Sequence, residues 1–402
     1  MKPIKEWGLL PKVLIAIALG ILCSLFFPGW LARCFITFNS IFSNFLSLFI
    51  PILIIGLIAP GIFELGKGAG RLLLITALIA YVSTVLSGLF SYITCRATYP
   101  SLLGKSAVSL GGIDMTTNLL KPYFTIEMPP LMSVTTALVL AFVLGLALIG
   151  SKGDTFKHVM LELREVVFLV IQNVIIPLLP LFIFGIFLEM GEEGNVTPVL
   201  GMFVKIIVII FLMHITVLVL QFVIAGVVAH KNPFKALWTM LPAYVTALGT
   251  QSSAATIPVT RAQAIKNGVK PEVADFVIPL CATIHMSCSI LKIVACAFAI
   301  SLSLGLDVSF GTYAGFILML GITMIAAPGV PGGAIMAALG LLSSMLGFDA
   351  GMQGLMIALY IAMDSFGTAG NVTGDGAIAL IINKIKNNKT ISGEPKNRPL
   401  PA

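Results

Sequence analysis

The stretch DSFGTAGNVTGD, residues 364–375, lies inside the last long apolar segment of the chain, residues 353–385. Its polar side chains follow one another at spacings of four, three and four residues, which places them on one face of an α-helix. They are Asp364, Thr368, Asn371 and Asp375. A hydrogen-bonded seam between two helices would explain Thr368 alone, but two acids on an apolar helix are costly wherever they face lipid. The stretch therefore predicts a functional polar site inside a helical membrane protein.

The composition of the whole chain indicates a protein embedded in lipid. Hydrophobic residues make up 58% of the 402 residues, and charged residues make up only 10%. Soluble domains carry about a quarter of charged residues, so this surplus of apolar surface needs a lipid environment. The net charge of +7 does not indicate nucleic acid as a partner, because no basic run contains interleaved aromatic residues. The six cysteines lack metal-ligand spacing, and we interpret them as packing residues.

Six apolar segments precede residue 230, and each is long enough for the ~20 residues that a membrane span needs. They are residues 10–28, 42–63, 71–95, 130–150, 164–189 and 200–229. The first is interpreted as a transmembrane helix rather than a cleaved signal, since no small-residue cleavage site closes it. Lysine and arginine concentrate in alternate loops, from Lys2 and Lys5 to the tail with Lys396 and Arg398. The positive-inside rule then predicts a multi-pass protein of the cytoplasmic (plasma) membrane with both termini in the cytoplasm.

The last third of the chain departs from simple spans. Residues 233–258 carry a Ser/Thr-rich centre between basic flanks, which predicts a re-entrant hairpin entered from the cytoplasm. Residues 310–347 predict a second hairpin from the opposite side. The segments that follow the hairpins, 272–305 and 353–385, are interrupted by polar residues. Two inverted hairpins, each followed by a broken helix, indicate a binding site at the membrane midplane of a secondary transporter, because broken backbone persists there only around a cavity.

Four motifs in this part of the chain resemble the dicarboxylate/amino acid:cation symporters, the glutamate transporter family. They are TQSSAATIPVT (250–260), PLCATIHM (279–286), GVPG (329–332) and NVTGD (371–375), with Asn232-Pro233 ahead of the first. The resemblance runs through the whole chain in segment order and is sharpest over residues 232–380. It implies an all-α membrane protein with eight transmembrane helices, two re-entrant helical hairpins and inverted repeats. It also implies an elevator motion, a homotrimer and no enzymatic activity.

The resemblance divides the chain into a scaffold and a transport domain. It implies scaffold helices 1 and 2 in residues 1–66, transport helix 3 in 67–97, scaffold helices 4 and 5 in 128–195, a transport domain with helix 6, hairpin 1, helix 7, hairpin 2 and helix 8 in 196–386, and a cytoplasmic tail in 387–402.

The resemblance also implies the residues of the site. Those expected to bind the solute are Gln251, Ser252, Ser253, Val330, Pro331, Gly332, Asp364, Gly367, Thr368 and Asn371. Asp364 would accept the α-ammonium group of the solute, and Ser252 and Ser253 would bind its carboxylate. Those expected to bind a coupling cation are Ser83, Thr84, Thr283, His285, Met286, Asn371 and Asp375. Sodium is expected at Asn371 and Asp375, and no other cofactor is predicted.

One departure from the family concerns the charge of the solute. Members that carry acidic solutes have an arginine at the place of Gly367, or alternatively at the place of Gln251, and neither position is basic here. A second solute carboxylate would then be buried unpaired, at a cost of several kcal/mol. We therefore predict a small neutral amino acid, for whose side chain Gly367 and Gly370 would leave room.

A second departure concerns the coupling ion. The family usually has Asn-Met-Asp where this chain has His285-Met286-Ser287, so one acid is lost and an imidazole is gained. Lys292 follows seven residues later inside an apolar stretch, and its expected partner is Asp375 or Asp364. Our hypothesis is that Lys292 or protonated His285 supplies positive charge that sodium supplies elsewhere. The alternatives are that Lys292 extends to the outer interface and that His285 is a plain hydrogen-bonding residue.

These features predict a symporter of a small amino acid, neutral rather than acidic, coupled to sodium and/or protons. Its partners would be that amino acid and the lipid bilayer. An uncoupled facilitator or a dicarboxylate carrier of the same fold is the alternative. An intramembrane protease is a distant one, since Asp364 and Asp375 lie on a single helix and the second lacks the Gly-x-Gly-Asp setting.

Overall fold

The computed structural model describes residues 8–66, 71–111, 120–192, 196–325, 327 and 331–393, and these residues form helices joined by short connections. The helices are α1 Leu9–Ser24, α2 Gly29–Gly66, α3 Arg71–Gly111, α4 Val134–Gly150, α5 Thr155–Val170, α6 Ile176–Glu192, α7 Val196–Ala229, α8 Pro233–Thr239, α9 Leu241–Thr250, α10 Ser253–Lys266, α11 Pro271–Ile284, α12 Ser287–Ser303, α13 Phe310–Ile325, α14 Gly333–Leu346, α15 Ala350–Ala362 and α16 Asp364–Gly393. A short π-helical segment, Ile171–Ile175, joins α5 to α6 without a turn.

Five helical segments of the described residues are long and apolar enough to cross a membrane, and the bent pair α15 and α16 would add a sixth. The five are Gly29–Glu64, Leu72–Leu103, Thr155–Glu192, Leu200–Ala229 and Pro271–Ser303. The remaining apolar helices, including α1 and most of α4, are shorter than 18 residues. The chain is therefore an all-helical, multi-pass membrane protein, and the predicted count of eight spans stays a prediction.

Several helices extend beyond the apolar segments from which they were predicted. The helix α2 begins at Gly29 rather than near residue 42, and α3 continues to Gly111 rather than ending near residue 95. Arg33 and Arg96 lie in these extensions, outside the segments that hydropathy predicts. In the structure Arg33 donates to the Lys121 carbonyl at 2.9 Å, and Arg96 donates to the Tyr92 hydroxyl at 2.7 Å. Because partners satisfy both guanidinium groups, the helices continue through them.

The helix α5 also begins earlier than predicted, at Thr155 rather than near residue 164. Arg164 lies inside it and forms two hydrogen bonds to Glu64 of α2, at 2.6 and 3.0 Å. This paired geometry joins α5 to the end of α2 and satisfies a charge that hydropathy alone would assign to a loop.

The interruptions predicted in the last third are confirmed. The helices α9 and α10 are separated at Gln251 and Ser252, and α11 and α12 at His285 and Met286. The helices α13 and α14 are separated by residues 326–332, of which only some are described, and α15 and α16 meet at Met363 with a bend of 61°. Hairpin 1 is longer than expected, because α10 continues to Lys266 instead of ending near residue 258.

The helices α12 and α16 lie at the centre of the last third. Every residue from Met286 to Ser301 is buried, as is every residue from Gly367 to Leu380. The helix α12 packs against α3 and α7, and α16 packs against α7, α9, α10, α11 and α12. Polar side chains on these two helices therefore face protein on all sides, so they are shielded from the lipid.

Candidate functional site

The bend at Met363 places Asp364 at the first position of α16, with its side chain only 7% exposed. Both carboxylate oxygens have partners. Oδ1 accepts a hydrogen bond from Lys292 Nζ at 2.9 Å, and Oδ2 accepts the backbone N–H of Gly332 at 2.7 Å. Asp364 thus connects α12, through Lys292, to the tip of hairpin 2, through Gly332.

Lys292 is fully buried, so the alternative that it extends to the membrane interface is wrong. Its ammonium contacts Asp364 Oδ1 at 2.9 Å and the Met363 carbonyl at 3.4 Å. It also lies 3.5 Å from the centre of the Tyr360 ring, a cation–π contact. A carboxylate, a carbonyl and an aromatic face together match the three donors of an ammonium group.

The two glycines of α16 that we expected to leave room for a solute side chain are instead packed against α12. A Cβ added at Gly367 would lie 2.7 Å from Lys292 Nζ, and one added at Gly370 would lie 2.4 Å from Cys288 Sγ. Position 367 is not basic, but a cation lies close to it. Lys292 brings an ammonium there from a different helix than the one that carries the family arginine.

The two hairpin tips adopt backbone conformations that suit close approach to other groups. Gln251 ends α9 with φ 53, and Gly332 precedes α14 with φ +75, both in the left-handed region. Ser252 accepts a hydrogen bond from the Ala255 backbone and so caps α10. Ser253 is half-buried at the start of α10, Pro331 is half-buried in the turn beside Gly332, and Val330 lies outside the described residues.

Both tips lie beside the beginning of α1. A Cβ added at Gly8 would lie 4.0 Å from Gln251 Oε1, and one added at Gly332 would lie 3.7 Å from Leu9 Cδ2. Since Gly8 and Leu9 are adjacent residues, the two tips approach the same region of the molecule. This is the arrangement expected if the hairpins enclose one site.

A second buried cluster surrounds His285 at the break between α11 and α12. The imidazole Nδ1 lies 2.9 Å from Asp375 Oδ1, and Nε2 lies 3.1 Å from Ser83 Oγ. Gln221 of α7 completes the cluster by donating to Ser83 Oγ at 3.1 Å and to Ser287 Oγ at 3.0 Å. Gln221 was not predicted as a site residue. The available signal was a single amide in the long apolar segment that forms α7.

Two other predicted cation ligands bind backbone N–H groups at the break between α11 and α12. Asn371 Oδ1 accepts the Cys288 N–H at 2.8 Å, and Thr84 Oγ1 accepts the Met286 N–H at 3.3 Å. Thr283 is exposed, and its hydroxyl donates to the Leu280 carbonyl of the same helix at 2.8 Å.

These contacts bear on whether sodium fits here. Sodium as a hard cation prefers oxygen ligands, whereas Asn371 Oδ1 and Asp375 Oδ1 already face nitrogen atoms of the protein. In the part of the chain that the structure describes, no three His, Cys, Asp or Glu side chains form a metal-binding group. In this conformation Asn371 and Asp375 therefore do not form an open set of oxygen ligands.

Thr368 of α16 and His214 of α7 are both buried. Thr368 is buried one turn after Asp364 on α16, as the spacing predicted. His214 Nε2 lies 3.1 Å from the Cys288 carbonyl, so it is a satisfied packing residue. The structure thus brings Asp364 and Lys292 into one cluster and His285, Asp375 and Ser83 into another.

Comparison with known proteins gives one consistent result along almost the whole chain. The model of the sodium:dicarboxylate symporter family matches residues 9–385. The serine/threonine transporter SstT of Acinetobacter baumannii (strain AYE) is 28% identical over 383 residues, which cover 92% of this chain and 94% of the relative. The protein of the same name from Acinetobacter baylyi is 26% identical over 394 residues, which cover 94% and 97%.

Proposed function

Because the chain belongs to the sodium:dicarboxylate symporter family, whose members are transporters and not enzymes, we propose that it is a symporter of a small neutral amino acid. The relatives named serine/threonine transporters support a solute of this size and charge. The observation that carries the proposal is the buried carboxylate of Asp364, which lies at a helix break and contacts the tip of hairpin 2. A buried carboxylate is a suitable acceptor for a solute ammonium group.

The charges around Asp364 favour a neutral solute over an acidic one. Lys292 and Asp364 form one buried pair, and His285 and Asp375 form another. A neutral amino acid is a zwitterion and adds no net charge, whereas a dicarboxylic amino acid adds a negative charge that neither pair compensates. The ammonium of Lys292 lies near Gly367 and could attract a second carboxylate, so an acidic solute is the second candidate. Asp364 already neutralises that ammonium, which favours the neutral solute.

The remaining solute contacts are proposed from the family. Ser252 and Ser253 on the hairpin 1 tip would bind the solute carboxylate, with Gln251 beside them. Hairpin 2 would cover the solute through Val330, Pro331 and Gly332, and Thr368, Asn371 and Gly367 would line the α16 side. The approach of both tips to Gly8 and Leu9 supports a site between the hairpins.

We further propose the family architecture of eight transmembrane helices and two re-entrant hairpins, with a moving transport domain, a homotrimeric scaffold and cytoplasmic termini. The packing supports the division into domains. The helix α1 packs against α6, and α2 packs against α4, α5 and α6, while α3 packs against α12, α13 and α7. The scaffold would comprise residues 1–66 and 128–195, and the transport domain residues 67–97 and 196–386, with a tail in 387–402.

The coupling ion is proposed to be sodium and/or protons. We expect fewer sodium ions to be coupled than in family members that have Asn-Met-Asp in place of His285-Met286-Ser287. The contacts of His285 with Asp375 and Ser83 support this, because two predicted sodium ligands are engaged by an imidazole. His285 or Lys292 would supply the positive charge that sodium supplies in other members. Thr84, Thr283 and Met286 remain candidate ligands for a cation in another conformation.

Uptake by the purified full chain in proteoliposomes tests the proposed function. Sodium and proton gradients are imposed separately, with labelled serine, threonine, alanine, aspartate and succinate as solutes. We expect serine, threonine or alanine to accumulate above equilibrium under at least one gradient. Equilibration without accumulation would identify a facilitator, and preference for aspartate or succinate would identify a dicarboxylate carrier.

A further inference from the structure

The ion pair between Lys292 and Asp364 raises a problem for the binding of any solute ammonium. The carboxylate that should accept that ammonium already has both oxygens engaged. Oδ2 binds the backbone of Gly332, and Oδ1 binds the ammonium of Lys292. Because Asp364 is also buried, a solute ammonium that binds Oδ1 would compete there with the ammonium of Lys292.

Displacing Lys292 alone would leave a buried ammonium without its carboxylate, which is strongly unfavourable. A solute with both an ammonium and a carboxylate removes that difficulty. Its ammonium would replace Lys292 at Asp364 Oδ1, and its carboxylate would become the new partner of Lys292. The two buried charges and the two solute charges would then alternate in sign, and the site would stay neutral.

We propose that an amino acid zwitterion inserts between Lys292 and Asp364, so that Lys292 binds the solute carboxylate and selects zwitterions over singly charged solutes. The inference rests on the proposed function, since it assigns a solute contact within the same site. It adds Lys292 of α12, as a specificity-determining residue, to the carboxylate contacts that the family resemblance assigns to Ser252 and Ser253 of hairpin 1.

Asp364 is one of several groups that contact the ammonium of Lys292. The others are the Tyr360 ring at 3.5 Å and the Met363 carbonyl at 3.4 Å, and they would favour a position for the ammonium close to its present one after the exchange. Gly367 carries no side chain where a Cβ would lie 2.7 Å from Nζ. Because Gly332 binds the other oxygen of Asp364, the tip of hairpin 2 can stay attached during the exchange.

The other buried basic side chains of the described residues are not available for a solute carboxylate. Lys157 is paired with Asp154 at the start of α5, and His285 is paired with Asp375. His214 directs a ring nitrogen at a backbone carbonyl. The site therefore offers one ammonium to one solute carboxylate, which matches a neutral amino acid and not a dicarboxylic one.

The test compares serine with two analogues that each lack one charge. Serinol keeps the ammonium and has a hydroxymethyl group in place of the carboxylate, while glycerate keeps the carboxylate and has a hydroxyl in place of the ammonium. Each compound competes with labelled serine for uptake into proteoliposomes that contain the full chain. In the wild type we expect both analogues to bind at least about tenfold more weakly than serine.

Single substitutions test which residue is responsible for the preference for serine over each analogue. In Lys292→Met we expect the preference for serine over serinol to fall at least about tenfold, because the carboxylate has lost its partner. In Asp364→Asn we expect the preference for serine over glycerate to fall similarly. Lys292→Arg should keep the wild-type ranking. Lys205→Met is the matched control, since this lysine of α7 binds only the Leu102 carbonyl among the contacts described for it and lies outside the site.

Three outcomes distinguish the possibilities. If Lys292→Met weakens serine, serinol and glycerate by the same factor, Lys292 is only structural and the inference is wrong while the proposed function stands. If the wild type prefers glycerate, succinate or aspartate to serine, both the inference and the proposed function are wrong. Should Lys292→Met not fold, the double variant Lys292→Met with Asp364→Asn removes both buried charges. This double variant is expected to lose both the preference for serine over serinol and the preference for serine over glycerate. If it keeps either preference, the inference is overturned.

Discussion

The ammonium of Lys292 lies 2.9 Å from the carboxylate of Asp364, and these two buried residues come from the two broken helices at the centre of the protein. Lys292 belongs to α12, which follows the break at His285 and Met286, and Asp364 begins α16 at a 61° bend. The pair therefore joins α12 to the start of α16 at the bend. It also connects them to hairpin 2, because Gly332 donates to the same carboxylate.

Removing one member of this pair should destabilise the protein more than removing both. Lys292→Met leaves Asp364 buried without a counter-charge, so we expect a loss of about 3–5 kcal/mol of stability. The double variant with Asp364→Asn should recover a large part of that loss, since no charge remains unpaired. Thermal unfolding in detergent measures both, with Lys205→Met as the control. Equal stability of the single variant and the wild type would contradict the buried pairing.

Gly367→Ala should disturb solute binding through Lys292. The added Cβ would lie 2.7 Å from Nζ, so the flexible end of the lysine must move away from Asp364. We expect the half-saturating serine concentration to change by about fivefold or more. Gly201→Ala is the control, because a Cβ there meets nothing within 4 Å. If the two alanine variants transport serine equally well, Lys292 does not depend on the space at Gly367.

Gly332→Ala should weaken the closure of hairpin 2. Gly332 has φ +75, a left-handed conformation that costs a non-glycine residue roughly 1–2 kcal/mol. If closure is linked to binding, the affinity for serine should fall by about 5- to 30-fold. Gly311→Ala, at the start of α13 with nothing within 4 Å, is the matched control on the same hairpin. Serine affinity is measured by equilibrium binding to detergent-solubilised protein. An unchanged affinity would separate the tip conformation from solute binding.

Restoring the family triplet should increase the response to sodium. The double variant His285→Asn with Ser287→Asp replaces the imidazole between Asp375 and Ser83 and adds a carboxylate next to Gln221. An added ligand worth roughly 1.4 kcal/mol would lower the half-saturating sodium concentration about tenfold. Serine uptake is measured against sodium concentration at constant ionic strength. His285→Asn alone is the control, because it removes the imidazole without adding an acid.

A sodium response that is the same in the wild type, the single variant and the double variant would contradict the coupling proposal. It would mean that the cluster around His285 does not contribute to ion coupling. Asn371 and Thr84 would then have only a structural role. Their side chains accept the backbone N–H groups of Cys288 and Met286 at the break between α11 and α12.

The sequence by itself determined that the protein is helical and crosses the membrane several times, and it located the two interruptions near residues 251 and 285 and the polar face of α16. These are local properties, because hydropathy, helical spacing and helix-breaking residues act over one or two turns. Hydropathy misjudged the helix ends at Gly29 and Gly111. The arginines in these extensions have partners, Arg33 in the distant Lys121 carbonyl and Arg96 in Tyr92, one turn earlier on the same helix.

Only the tertiary structure decided which buried charges meet. The sequence left Lys292 with either Asp364 or Asp375 as its partner, and the fold pairs it with Asp364, 72 residues away. Asp375 instead faces His285, 90 residues away, and Gln221 joins that cluster from α7. The physical reason is that such pairs depend on how each helix is rotated and shifted against its neighbours, and that is set by packing along the whole length of the helices.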